Sequence, residues 1–239
     1  MHTAQGNITY RVQQIVRISR KKVNVDISDS PQDRLNLIIE LSWDILLKRI
    51  ASGITPINKE SSMQLLLSVI IHGIGELLCL GPEEIFTIEL ESNYDNKNIY
   101  LTCNLENCLN GKHTKAAIEL KCFWKSSNKA KEFDMYDVWK DIERLIEFDG
   151  FDVRKFICFT DDQYYRLGNN AGHASIVSTK ENIRYSEDSI IQPVWVDKSY
   201  SNRSFPITLN KDVALNWKQI PSSLKNREHK EWNYLFIDL

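Results

Sequence analysis

The segment Ala116-Ala117-Ile118-Glu119-Leu120-Lys121-Cys122-Phe123 sets an acid and a lysine two residues apart in an otherwise apolar run. On a β-strand successive side chains point to opposite faces, so Glu119 and Lys121 share one face while Ile118, Leu120 and Cys122 share the other. Charges in such a strand are costly unless they are paired or serve a site. The chemistry these two residue types suit is phosphodiester hydrolysis. That reaction needs a metal to polarise the phosphate and to lower the pKa of an attacking water. A carboxylate holds a hard cation such as Mg²⁺, and a lysine can orient the water and offset phosphate charge as a point cation. A solvated cross-strand ion pair uses the same residues, and Glu-x-Lys alone is a common pattern.

Other chemistries find less support. Asn110-Gly111-Lys112 lacks the first glycine and the Ser/Thr of a phosphate-binding loop, and neither GxSxG nor HExxH occurs. The five histidines, His2, His72, His113, His173 and His229, show no metal-binding spacing. The five cysteines form no CxxC pair. Their odd number and apolar surroundings suit reduced thiols and a cytoplasmic protein. A formal net charge of −2 argues against a generally basic nucleic-acid coat but leaves room for a local basic groove. No apolar leader is visible, and no run of about 18 apolar residues that could span a membrane.

The elements that must position Glu119 and Lys121 follow from periodicity. Residues 8–25 read as an irregular amphipathic stretch carrying Arg11, Arg17, Arg20, Lys21 and Lys22. Ser30 is a good N-cap, Pro31 suits the first helical turn, and Leu35, Ile38, Ile39, Ile45, Leu46 and Ile50 follow at helical spacing. A second helix is expected over 62–80, closed by Gly81-Pro82. Its stripe of Met63, Leu66, Leu67, Ile70, Ile71, Ile74, Leu77 and Leu78, with Leu65, Val69 and Leu80 on another side, predicts burial around much of its circumference. Strands are expected at 85–91, 99–106 and 116–123, the last two joined by a hairpin through Asn110-Gly111. A basic loop at 125–131 precedes a helix capped by Asp134, and a short buried strand follows at 156–159. The last 75 or so residues are less regular, with strands expected near 190–196 and 205–209.

The order of helix, three meandering strands, helix and strand, with Ile118-Glu119-Leu120-Lys121 at its centre, resembles the PD-(D/E)XK nuclease superfamily. It looks most like the type II restriction endonucleases, over roughly residues 60–162. The resemblance implies an α/β fold with a restriction-endonuclease-like core, a central mixed β-sheet flanked by helices. It divides one domain of 1–239 into an N-terminal helical region (1–60), a nuclease core (61–162) and a C-terminal region (163–239) expected to recognise DNA. The implied activity is Mg²⁺-dependent, sequence-specific cleavage of double-stranded DNA, with Mn²⁺ as a possible substitute. A homodimer would match a two-fold symmetric site.

The implied catalytic set is Glu119, Lys121, Asn104 and Glu76, and the implied metal set is Asn104, Glu106, Glu119 and Leu120. Asn104 stands where the family usually carries an aspartate. With a turn near 110–111, Asn104 and Glu106 fall on the face shared with Glu119 and Lys121. An amide lacks the charge of a carboxylate, which points to an inactivated enzyme or to Glu106 as the acid. DNA contacts are expected from Lys125, Lys129, Lys131, Arg166, Asn169 and Asn170. The alternatives from other classes are a catalytically dead DNA-binding module on the same fold and a protein-interaction scaffold.

Overall fold

Ser30 opens the first helix: its hydroxyl accepts the Asp33 N–H at 3.4 Å, and Pro31 follows in the first turn. The computed structural model describes residues 28, 30–55, 57–127, 129–168, 175–193, 203–220 and 231–239. The basic stretch expected at 8–25 lies outside them. Helix α1 (Pro31–Ala51) lays Leu35, Ile38, Ile39, Trp43, Leu46 and Ile50 against the sheet. Its Arg34 is buried and grips Glu84 through two nitrogens, at 2.9 and 2.5 Å. That bidentate pair ties the helix to the start of the first strand.

Helix α2 (Glu60–Leu77) buries Met63, Leu67, Ile71 and Gly75, one residue per turn. At Gly75 an added Cβ would lie 2.2 Å from the Phe86 ring, so only glycine lets the helix sit this close to the sheet. The expectation of burial around most of this helix is corrected here. Leu65, Val69 and Leu80 are 57%, 64% and 53% exposed. The sheet covers only one side of α2, and nothing among the described residues covers the other.

Strands β1 (Glu84–Tyr94), β2 (Lys97–Asn107) and β3 (Lys112–Phe123) form an antiparallel meander. Helix α3 (Lys131–Glu147) then crosses over to β4 (Val153–Thr160), which runs parallel to β3. Helix α4 (Gln163–Leu167) and the short strands β5 (Arg184–Tyr185), β6 (Ser189–Ile191), β7 (Ile207–Leu209) and β8 (Val213–Ala214) follow. Strands β9 (Lys218–Gln219) and β10 (Asn233–Asp238) return to the main sheet. Among the described residues this is a mixed sheet of six strands in the order β1-β2-β3-β4-β10-β9.

Helices cover both faces. Leu101, Ile118, Leu120 and Ile157 pack with α1 and α2. On the other side Ala117, Phe156 and Cys158 pack with Met135, Val138, Trp139 and Ile142 of α3. The C-terminal residues close over α3: Trp139 Nε1 donates to the Val177 carbonyl at 3.2 Å, and Tyr136 donates to the Phe205 carbonyl at 2.8 Å. Asp134 does not cap α3. The helix begins three residues earlier, and the Asp134 carboxylate accepts the Tyr165 hydroxyl at 2.7 Å. Strand β10 was not expected from the sequence. Among the described residues no helix is long and apolar enough to cross a membrane.

Candidate functional site

Alternation along β3 turns Glu119 and Lys121 toward α3. Two residues of that helix, one turn apart, meet them. The Arg144 guanidinium lies 2.7 Å from Glu119 Oε1 and 3.0 Å from Asp141 Oδ1, both through Nη2. Lys121 Nζ lies 2.8 Å from Asp141 Oδ2. Two acids and two bases therefore form one cluster, with Glu119 wholly buried at its base. The contacts are close but poorly aligned: neither Glu119 oxygen, nor Asp141 Oδ2, makes a directed hydrogen bond. The buried oxygens therefore keep unused acceptor capacity.

Burial pushes the Glu119 carboxyl up to about 8, and the Asp141 charge adds to the rise, while Arg144 and Lys121 pull it down. At Lys121, burial opposes the charge. The Asp141 carboxylate overrides it, aided by Tyr100 and Glu60, and holds the ammonium above its ordinary range.

A third layer of polar contacts surrounds the cluster. The β2–β3 ladder ends at Leu101 opposite Ile118, just short of Glu119. The Lys121 ammonium lies 5.4 Å from the centre of the Tyr100 ring. The Tyr100 hydroxyl donates to Glu60, whose other oxygen accepts the Cys122 N–H at 2.9 Å. Burial and the Glu60 carboxylate raise the Tyr100 phenol. An open cleft of about 360 Å³ exposes this assembly, lined by Glu91, Asn98, Tyr100, Lys121, Asp141 and Arg144. Glu91 adopts the left-handed conformation, φ 52°, which a non-glycine residue takes at a cost.

The other expected site residues do not join. Asn104 pairs with Lys115 and Glu106 with His113. Both lie on the face of Glu119, as expected, but opposite residues four and six places along β3 from it. At about 3.3 Å per residue they are roughly 13 and 20 Å away, too far to share a cation with Glu119. The cause is the turn. The Asn107 side chain accepts the N–H groups of Leu109 and Asn110, and Gly111 closes the turn at φ +63°. The hairpin is therefore centred earlier than 110–111, and the opposite strand is shifted by two residues. Asn104 instead lines a separate cleft of about 240 Å³ with Thr87, Glu89, Thr102 and Lys115.

Leu120 faces the α1–α2 core and is wholly buried. Glu76 is exposed on α2, across the sheet from Glu119, and pairs with His72 at 3.6 Å. Lys131 is held by Asp162 and lies 4.6 Å from the centre of the Tyr164 ring. Arg166 pairs with Glu181 at 3.1 Å. Lys125 and Lys129 are exposed on the loop after β3. Asn169 and Asn170 lie outside the described residues.

Sequence reasoning missed Asp141, Arg144, Tyr100, Glu60 and Glu91. The available signal was Asp141-x-x-Arg144, a charged pair one turn apart beside the apolar stripe of α3. No described group of three or more His, Cys, Asp or Glu residues is arranged to hold a metal. No protein family model matches the chain, and comparison with curated proteins and with solved structures finds no match.

Proposed function

We propose that this chain is a divalent-metal-dependent DNA endonuclease of the PD-(D/E)XK type, most like a type II restriction endonuclease. The observation that carries the reading is the buried Glu119 directly beneath Arg144, which lines an open cleft together with Lys121 and the second carboxylate of Asp141. The element order supports it: a helix, three antiparallel strands, a crossover helix, and a strand parallel to the third.

The donor set suits a hard cation better than the residues expected from sequence did. Mg²⁺ is commonly held by one or two carboxylates, with waters and substrate phosphate completing its shell. Glu119 and Asp141 are two such carboxylates, close enough that one guanidinium nitrogen touches both. They would hold the ion once Arg144 swings away, whereas Asn104, Glu106 and Leu120 would not. A cation bound there supplies phosphate polarisation and a more acidic water. Glu119 must lose its proton first. Lys121 remains in the cleft as a point charge for the scissile phosphate. Arg144, freed from the carboxylates, presents a planar fork suited to phosphate oxygens. Lys125 and Lys129, directly after the active strand, meet the backbone of duplex DNA.

The test is cleavage of varied duplex DNA with Mg²⁺ or Mn²⁺. Glu119→Ala and Lys121→Ala should each abolish cutting while salt-sensitive binding persists. A second reading has its own observation: every charge in the cluster is already paired. On that reading the chain binds DNA and does not cut. Tight binding by an unaltered protein that stays inert with both metals would favour it.

A further inference from the structure

We infer that the cleft of about 320 Å³ between α1 and the β9–β10 edge binds a small zwitterion, an α-amino acid with an apolar side chain. The cleft opens on the α1 side of the sheet and shares no lining residue with the cleft at Lys121 and Arg144. Helical spacing sets Glu40, Trp43 and Asp44 on one face of α1, and alternation sets Tyr234 and Phe236 on one face of β10. Lys218 of β9 lies directly opposite Tyr234 and completes the lining.

The charges here divide into those already engaged and those left over. Lys155 is wholly buried, 2.7 Å from Asp238 and 3.6 Å from Glu40, with its ammonium 5.4 Å from the centre of the Phe236 ring. Two carboxylates and an aromatic ring thus already hold one ammonium. Asp44 and Lys218 remain, both exposed, and neither is paired with a described residue. Burial and then the Asp44 charge raise the Tyr234 phenol, which sets Asp44 near the ring that Lys218 stands opposite. One acid and one base that approach the same ring without meeting are complementary to a ligand carrying both signs. A bare cation would leave Lys218 opposed, and a bare anion would leave Asp44 opposed. Trp43 adds a demand of its own. It is only 3% exposed, and its indole N–H, a donor and never an acceptor, finds no partner, although a buried indole N–H usually has one. A ligand carboxylate brings an acceptor into the cleft that Trp43 lines.

The rings define the remainder of the ligand. Trp43 meets Tyr234 edge-on with 5.6 Å between ring centres and stacks on Phe236 at 6.2 Å, which makes a preformed apolar wall. An α-amino acid carries ammonium and carboxylate on one carbon. Its ammonium donates to Asp44, its carboxylate accepts from Lys218, and its aliphatic side chain lies along the rings.

Calorimetric titration of the full chain with L-leucine, without DNA or metal, tests this independently of nuclease activity. Saturable binding is expected. L-leucinamide and N-acetyl-L-leucine each lack one charge and should bind about tenfold more weakly. Asp44→Asn should raise the Kd for L-leucine about tenfold and leave that for N-acetyl-L-leucine unchanged. Lys218→Gln should weaken L-leucine likewise and leave L-leucinamide unchanged. Both positions are exposed, so circular dichroism melting should show an intact fold. No saturation by L-leucine, L-valine or L-phenylalanine at about 10 mM overturns the proposal. So does equal binding of L-leucine and its two derivatives, and so does L-leucine binding that ignores both substitutions. L-leucinamide bound more tightly than L-leucine would give the cleft to cations and overturn it as well.

Discussion

Replacing Glu119 by glutamine should make the protein more stable above neutral pH and change little in acid. Glu119 is wholly buried, and its carboxyl is pushed from 4.5 to about 8, first by burial and then by Asp141. The folded state therefore binds this proton more tightly than the unfolded chain does. Stability from the protonated group is fully present below pH 4.5 and is lost progressively as pH rises to about 8, beyond which the loss is constant. At about 1.4 kcal/mol per pH decade the full swing is about 5 kcal/mol. Relaxation of the cluster and water entry from the adjoining cleft reduce it, so about 2–5 kcal/mol is expected. Glutamine keeps the shape and never ionises. Urea unfolding of wild type and Glu119→Gln at pH 5, 7 and 8.5 isolates the effect, since other titrating groups largely cancel in the difference. The advantage of the glutamine variant should grow with pH and level off above about 8. A difference independent of pH would show that Arg144 and Lys121 fully offset the buried charge, and would refute the reasoning. The same titration bears on cation binding. Mg²⁺ must displace the proton, so its affinity should rise with pH up to about 8, with proton release visible by calorimetry in buffers of different ionisation enthalpy.

Three further outcomes are expected. Asn104→Asp should leave Mg²⁺-dependent cleavage at the wild-type level, because residue 104 lies roughly 13 Å along the strand from Glu119; a clear gain in a plasmid assay would put it at the cation. Gly75→Ala should cost about 1–3 kcal/mol through the Phe86 ring and lower the melting temperature by several degrees; an unchanged melt would mean that the ring moves freely. Lys125→Ala with Lys129→Ala should weaken binding to all DNA sequences alike and reduce the salt slope by about one or two; an unchanged slope would place the DNA elsewhere.

What the sequence made legible were features in which local chemistry and long-range structure agree. Ser30 and Pro31 start a helix wherever the chain places them, and the alternation of Ile118, Glu119, Leu120 and Lys121 selects faces under any pairing. Both were found as expected. Register is different. It depends on how Asn107 folds its side chain onto the next residues, and two residues of shift were enough to carry Asn104 away from Glu119. The partners Asp141 and Arg144 depend on the rotational phase of α3 over β3. Strand β10 is found by pairing with β4 about 75 residues earlier, which no local pattern encodes.

The uncovered face of α2 is the instructive disagreement. Its residues carry the pattern of a helix buried nearly all round, yet among the described residues only the sides that meet α1, Phe86 and the sheet are buried. Such a conflict arises because periodicity sets which residues share a side of a helix but not how much of its circumference the neighbouring elements cover.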